Sequence, residues 1–152
     1  MRRKEREITD RVAIEEIIRQ SFVCRLAMSE DNIPYIVPLC FGYKDNTLYF
    51  HTAREGKKLR ILEKSNRVCF EFDILHEVMR PKEPCKWGMR YVSVIGFGKT
   101  SLIEDFESKR RALDIIMQHY SGTAFAYKEE AIHKAAIIQV EIEHMTGKKS
   151  RL

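Results

Sequence analysis

Cysteine is sparse and unpaired in this chain. Cys24, Cys40, Cys69 and Cys85 contain no C-x-x-C pair, which speaks against a zinc site of that kind and against a thioredoxin-type motif, so free thiols are expected. His51, His76, His119, His133 and His144 show no ligand spacing with one another or with a cysteine, and no metal is expected. No apolar run approaches the roughly 18 to 20 residues needed to cross a bilayer. The opening Met1-Arg2-Arg3-Lys4-Glu5-Arg6-Glu7 is followed by no apolar signal region, so a cytoplasmic protein without a membrane partner is expected. With only seven Gly and four Pro, and no low-complexity tract, long linkers are not indicated.

What remains is 152 residues, 44% hydrophobic and 32% charged, the size and composition of one packed domain. The net charge of +5 raises the question of nucleic acid. The excess sits in two basic tails, residues 1–8 and 146–152, while the body between them carries as many bases as acids. Basic tails on a neutral body serve solubility or weak anion contact more often than a dedicated nucleic-acid face.

Asp10 can cap a helix over residues 11–21, with Val12, Ile14, Ile17, Ile18 and Phe22 at helical spacing. Residues 22–29, 34–43 and 47–53 then read as strands, the last two joined by a compact turn at Lys44-Asp45-Asn46. In 47–53, Leu48, Phe50 and Thr52 face one way, and Tyr49, His51 and Ala53 the other. A short helix follows Gly56 to about Lys64, burying Leu59 and Leu62. Residues 67–75 alternate as a strand, 76–90 form the longest irregular stretch around Trp87, and 91–102 resume a strand. Gly96 and Gly98 on one face of that strand permit close backbone approach or a bend. Asp105 can cap a third helix with Ala112, Leu113, Ile116, Met117 and Tyr120 along its apolar stripe, and a short helix can lie around 127–134. Residues 136–143 alternate as a half-exposed final strand. About six strands joined by hairpins and short helices make a mainly β chain, a small antiparallel barrel with peripheral helices.

The most informative local conflict lies at Arg54-Glu55-Gly56-Lys57-Lys58-Leu59-Arg60. Lys57 and Lys58 fall in the first turn of the expected helix, where the macrodipole and unpaired N–H groups already make positive potential. A bound phosphate would remove the conflict, with Thr52 upstream as a further donor. An exposed charge run costing a few tenths of a kcal/mol is the other reading, and the segment alone leaves both open. His51 points away from Thr52, and a single strand histidine is more often structural than catalytic. Gly98-Lys99-Thr100 echoes the end of a P-loop, but Ser93 stands where its first glycine is needed; Gly96-Phe97-Gly98 lacks the third glycine of a dinucleotide fingerprint. There is no G-x-S-x-G elbow.

Several of these segments, in order, resemble a known family. Ile33-Pro34-Tyr35-Ile36-Val37-Pro38-Leu39, Leu48-Tyr49-Phe50-His51-Thr52-Ala53 with Gly56-Lys57-Lys58, Val68-Cys69-Phe70-Glu71, and Tyr91-Val92-Ser93-Val94-Ile95-Gly96-Phe97-Gly98 are similar to the pyridoxamine 5′-phosphate oxidase-like FMN-binding split barrels, and within them to the nitroimidazole-resistance subfamily. The resemblance spans nearly the whole chain. It implies a six-stranded antiparallel split barrel, and a homodimer with a flavin site at the subunit interface built from both chains. It also implies FMN, or FAD, as cofactor, with His51, Thr52, Lys57 and Lys58 at the phosphate and ribityl end and the backbone of Ile36, Val37, Pro38 and Leu39 along the isoalloxazine ring. Tyr91 and Ser93 of the partner subunit, with Trp87 nearby, would close the site, and His51 matches the residue suited to contact flavin or substrate as a catalytic group. The implied function is an FMN-dependent oxidoreductase passing electrons from reduced flavin or NAD(P)H to a nitroaromatic or similar small-molecule acceptor. The alternative is a non-catalytic flavin- or haem-binding module. The basic end, Thr146 to Leu152, lacks the full pattern of the vitamin-forming oxidases, which argues against true pyridoxamine phosphate oxidation.

Overall fold

A computed structural model describes residues 3–123 and 125–150; the outermost residues of both basic tails fall outside that range. After a 3-10 turn at Lys4–Arg6, the elements run β1 (Glu7–Ile8), α1 (Arg11–Gln20), β2 (Cys24–Glu30), β3 (Ile33–Leu39), β4 (Gly42–Lys44), β5 (Thr47–Thr52), α2 (Lys57–Lys64), β6 (Arg67–Met79), β7 (Gly88–Ile103), α3 (Phe106–Ser121), α4 (Glu129–Lys134) and β8 (Ala136–Ser150). The mainly β architecture and antiparallel pairing match the expectation. The strands form one sheet in the order β3-β2-β6-β7-β8-β5-β4, with β1 added on β8. Its ends do not meet, as in a split barrel.

Eight strands replace the expected six, for identifiable reasons. Residues 34–43 divide into β3 and β4 because Phe41, fully buried, turns inward between them and donates its N–H to the Tyr120 hydroxyl at 3.0 Å. The irregular stretch shrinks to residues 80–87, since Glu77, Val78 and Met79 pair with Arg90, Met89 and Gly88. β8 continues past residue 143 to Ser150, so the described part of the final basic segment is strand. There Glu7 and Ile8 pair with Lys148 and Gly147, and Tyr91 pairs with Ser150.

Two hairpins turn on paired left-handed residues. Asp45 and Asn46 have φ of 48° and 61°, and Asp31 and Asn32 have φ of 50° and 63°, the conformation a two-residue hairpin needs and that Asp and Asn tolerate. Asp10 accepts from the Ala13 N–H at 3.0 Å and Asp105 from the Ser108 N–H at 2.9 Å, so both expected caps form. The stripe of α1 is narrower than its spacing suggests. Ile14, Ile17 and Ile18 are buried, whereas Val12 and Phe22 are 69% and 79% exposed, Phe22 lying beyond the helix end. In α2 the buried pair is Leu59 and Ile61, with Leu62 only partly covered.

The main core fills the sheet's concave side with Phe41, Phe50, Phe70, Phe72, Leu26, Leu48, Val94 and Ile138. A second cluster of Ile103, Ala112, Ala135 and Ile137 seats α3 on the ends of β7 and β8. Gly96 is required by this packing, since a Cβ there would lie 2.1 Å from Phe70 Cζ. Between Phe97 and Gly98 the register against β8 shifts, so the paired glycines supply both a close approach and a bend. Gly96→Ala is expected to lower stability by about 1–3 kcal/mol through overpacking against Phe70. The check is a urea unfolding midpoint beside that of the wild type; an unchanged midpoint would refute the packing account.

Candidate functional site

The first turn of α2 collects positive charge without an acid to balance it. Gly56 occupies the N-cap with φ 137°, a backbone state L side chains avoid, and it offers no side-chain cap. The first helix bond is Arg60 N–H to Gly56 O at 3.2 Å, which leaves the N–H groups of Lys57, Lys58 and Leu59 without helical acceptors. No acidic residue lies in the turn, Glu55 preceding it. Lys58 is half-buried, and burial alone pushes its pKa below the usual lysine range. Neither a hydrogen bond nor an ion pair holds its amine among the described residues. Lys57 instead places Nζ 4.6 Å from the centroid of the Tyr35 ring, joining the α2 N-terminus to β3.

β3 is one free edge of the sheet, and its sequence decides which backbone groups that edge offers. It pairs with β2 from Ile33↔Glu30 to Leu39↔Cys24 without a register shift. Pro34 and Pro38 have no N–H to give a ladder, so they sit where the strand's groups point away from β2, and Ile36 shares their parity. The outward carbonyls are therefore those of Pro34, Ile36 and Pro38, and the single outward N–H is Ile36's. Tyr35, Val37 and Leu39 pack inward against the core. The arrangement presents a planar row of acceptors with one donor beside a concentration of positive charge. It can receive a phosphorylated molecule carrying a flat heteroaromatic ring.

Thr52 and His51 end β5, paired with Ala136 and Ile137 at the start of β8. Thr52 is half-buried; His51 is exposed on the opposite face and has no hydrogen bond among the described residues. Trp87, Tyr91 and Ser93 lie elsewhere. Tyr91 pairs with Ser150 at the far end of β8, on the order of 45 Å of strand from Ala136 at about 3.3 Å per residue. Its hydroxyl accepts from Lys148 Nζ at 3.0 Å, and that amine also lies 5.5 Å from the ring centroid. Trp87 stands in the loop between β6 and β7, with Nε1 donating to the Pro81 carbonyl at 3.0 Å. Ser93 is only 6% exposed and pairs with Asp73 and Lys148.

Around Ser93 the outer sheet face carries a charge cluster. Arg25 Nη1 donates to Glu71 at 2.9 Å and also to Asp73, and His76 Nε2 lies 2.6 Å from the second Asp73 oxygen. Burial, reinforced by Asp73, raises the Glu71 pKa against the pull of Arg25. Burial acts on Asp73 as well, but bonds from Arg25 and His76 outweigh it and hold that carboxyl low. Across the same face runs an apolar band in which Ile36, Ala27, Cys69 and Phe97 are cross-strand neighbours. Ile36, Phe97 and Ile95 are 59%, 52% and 46% exposed. Alternation in 67–75 and 91–102 foretold the faces of Cys69 and Phe97; the band itself depends on strand order and was not visible in the sequence.

The comparisons with known proteins agree with the architecture. The profile of a family described as pyridoxamine 5′-phosphate oxidase matches residues 10–149. A candidate 5-nitroimidazole antibiotic resistance protein from Bacteroides thetaiotaomicron has a solved structure similar to this chain, at 39% identity and TM-score 0.85 over 94% of this chain and 86% of that one. An FAD and haem binding protein from Mycobacterium smegmatis shares the fold at 19% identity and TM-score 0.86, over 97% and 74% of the two chains. A flavocytochrome from Azotobacter vinelandii does so at 16% identity and TM-score 0.80, over 96% and 70%. No curated protein matches.

If the α2 turn is an anion site, Lys58 is a burden on the empty protein. Lys58→Met keeps the apolar stem and removes a half-buried charge, so the ligand-free variant is expected to unfold at the same urea concentration as wild type or a higher one. A clear loss of stability would mean that Lys58 holds a structural contact instead.

Proposed function

The chain belongs to the pyridoxamine 5′-phosphate oxidase family, and from that premise we propose that it is an FMN-binding protein acting as an oxidoreductase on a small acceptor of the nitroaromatic kind. The observation that carries this reading is the half-buried Lys58, without a polar partner among the described residues, in an uncapped first helical turn beside a free strand edge that offers a single donor. Lys57, Lys58 and the first-turn N–H groups of α2 would hold the flavin phosphate, with the Thr52 hydroxyl adding a bond. The outward Ile36 N–H and the carbonyls of Pro34, Ile36 and Pro38 would meet the polar edge of the ring, while Val37 and Leu39 fix the strand from within. Bound flavin would supply the electron-transfer chemistry. The protein's part is to orient the ring, to set its electrostatic surroundings and to keep one face open. His51, exposed at the end of β5, is the side chain proposed to contact flavin or substrate there.

The proposal includes a homodimer. Tyr91 and Trp87 lie far along the sheet from Thr52 in the same chain, which supports the reading that they close the site from a second copy. The band of Ile36, Ile95 and Phe97 is an apolar surface of the kind that marks an interaction site, and it suits a second copy of the chain. Phe97→Lys is expected to give a folded monomer with reduced flavin content, read by analytical ultracentrifugation and absorbance. A dimer of unchanged flavin content would remove that face from the interface.

The direct test is the absorption spectrum of the purified protein after adding FMN and removing the excess. About one flavin retained per subunit is expected, together with reduction by NAD(P)H or dithionite and reoxidation by a nitro acceptor. Retention without acceptor turnover would favour a binding module, and tighter retention of FAD would change the cofactor. Lys57→Ala with Lys58→Ala should lose FMN while remaining folded. Phosphate favours charged Lys58, whose pKa burial lowers, so FMN affinity should fall as pH rises through a value below the ordinary lysine range near 10.4. Fluorescence titrations of wild type and Lys58→Ala across that range check the sign: only the wild type should show this component.

A further inference from the structure

A second lysine, on an element outside the proposed flavin site, has most of its side chain buried and no ion-pair partner among the described residues. Lys109, on α3, is 7% exposed. No acidic group lies in ion-pair range of it, and no hydrogen bond from its amine is found among the described residues. Nor is its amine one of the side-chain atoms sealed from solvent without a partner. The amine therefore keeps some exposure to solvent, and Lys109 lines a pocket of about 190 Å³ between the starts of α2 and α3, the β7 end, the β8 start and the segment after β5. Arg54 lines the same pocket. Its guanidinium donates to the carbonyls of Lys134, at 2.9 Å from Nε, and His133, so its charge is fixed in place by the C-terminal end of α4 without being neutralised by a carboxylate. Glu104 is the only acid in the wall, against two cations. Leu102, Ile103, Leu59, Ala135 and Ile137 supply the apolar remainder. Thr52, Lys57 and Lys58 are not among its lining residues, although Leu59, next to Lys58 in the first turn of α2, is.

We propose that the Lys109–Arg54 pocket binds a small oxyanion, a phosphate or short carboxylate group, at a site that adjoins the first turn of α2 but uses cations other than those proposed for the flavin phosphate. The space corresponds to roughly six waters at ~30 Å³ each, enough for such a group and too small for a second flavin. A cation beside a largely apolar wall is best stabilised when an anion meets it, and that wall strengthens the pairing by excluding water. Position adds to the case. Lys109 lies near the positive end of α3, where Asp105 and Glu107 offset the backbone potential but do not engage the amine. Because Arg54 belongs to the segment leading into α2, an occupied pocket would tie that segment to α3.

The test uses the full chain with inorganic phosphate and, separately, acetate as probes against chloride at matched ionic strength. Lysine acetylation is read by peptide mass spectrometry, and binding by calorimetry. Phosphate or acetate is expected to slow acetylation of Lys109 in wild type, and to do so equally in Lys58→Met, in which the α2 site is disabled. Lys109→Met should weaken the Lys58-independent binding by roughly tenfold or more, the scale of one lost charge-assisted bond. Protection by phosphate alone would identify a phosphate site, and protection by both a general oxyanion site. Equal Lys109 acetylation in all salts, no acetylation of Lys109 in any of them, or binding that vanishes in Lys58→Met would overturn the proposal. The acetylation arm needs no Lys109 variant, so a failure of Lys109→Met to fold leaves the test intact, and the Lys58→Met background separates it from the flavin reading.

Discussion

The long pairing of β8 with three other strands is the constraint on which the rest of the structure depends. This one strand takes β5 at its beginning, β7 along its whole length and β1 near its end. It thereby decides which functional groups are neighbours and which are kept apart. Thr52 and the approach to α2 are tied to Ala136, Tyr91 to Ser150, and no rearrangement of side chains can shorten the strand between them. A site needing both ends must recruit a second chain.

A second theme is positive charge placed where helix termini already favour an anion. At α2 the cap is a glycine, the first turn has no acid, and the two lysines divide their tasks, one resting on the Tyr35 ring and one left half-buried. At α3 the cap is an aspartate with a glutamate behind it, so the terminus itself is balanced and only the side chain of Lys109 is not. The two settings differ in what they can hold. The first offers backbone donors beside a strand edge; the second is a small, largely apolar pocket lined by a lysine and an arginine.

Much of this was legible in the sequence because local chemistry and tertiary structure agreed. Asp10 and Asp105 cap as expected, Asp45-Asn46 turns as expected, and the alternation in β5 put Thr52 and His51 on opposite faces. The conflict at Lys57 and Lys58 could be read before any coordinates. The failures have a common cause. His144 to Ser150 contains Gly147, Lys148 and Lys149, residues with poor strand preference, and becomes strand because β7 and β1 pair with it from either side. Residues 76–79 likewise gain their ladder only from 88–90 across the loop. Lys109 carries no signal in the sequence that sets it apart from the other charged residues of its helix; its burial depends on where β8 and the segment after β5 come to rest. The Asp31-Asn32 turn carried the same signal as Asp45-Asn46 and could have been read from it.

The spacing of Pro34 and Pro38 also has a consequence for how the protein behaves when crowded. An exposed strand edge with donors at every other residue invites a neighbouring chain to extend the sheet, and then another, without limit. On β3 two of the three outward positions have no hydrogen to offer, so a would-be added strand loses ladder bonds on both sides of Ile36. The same edge can serve a small planar partner that asks for one donor, and is a poor template for a polypeptide that asks for several. Replacing either proline would trade that discrimination for a surface prone to fibrous aggregation.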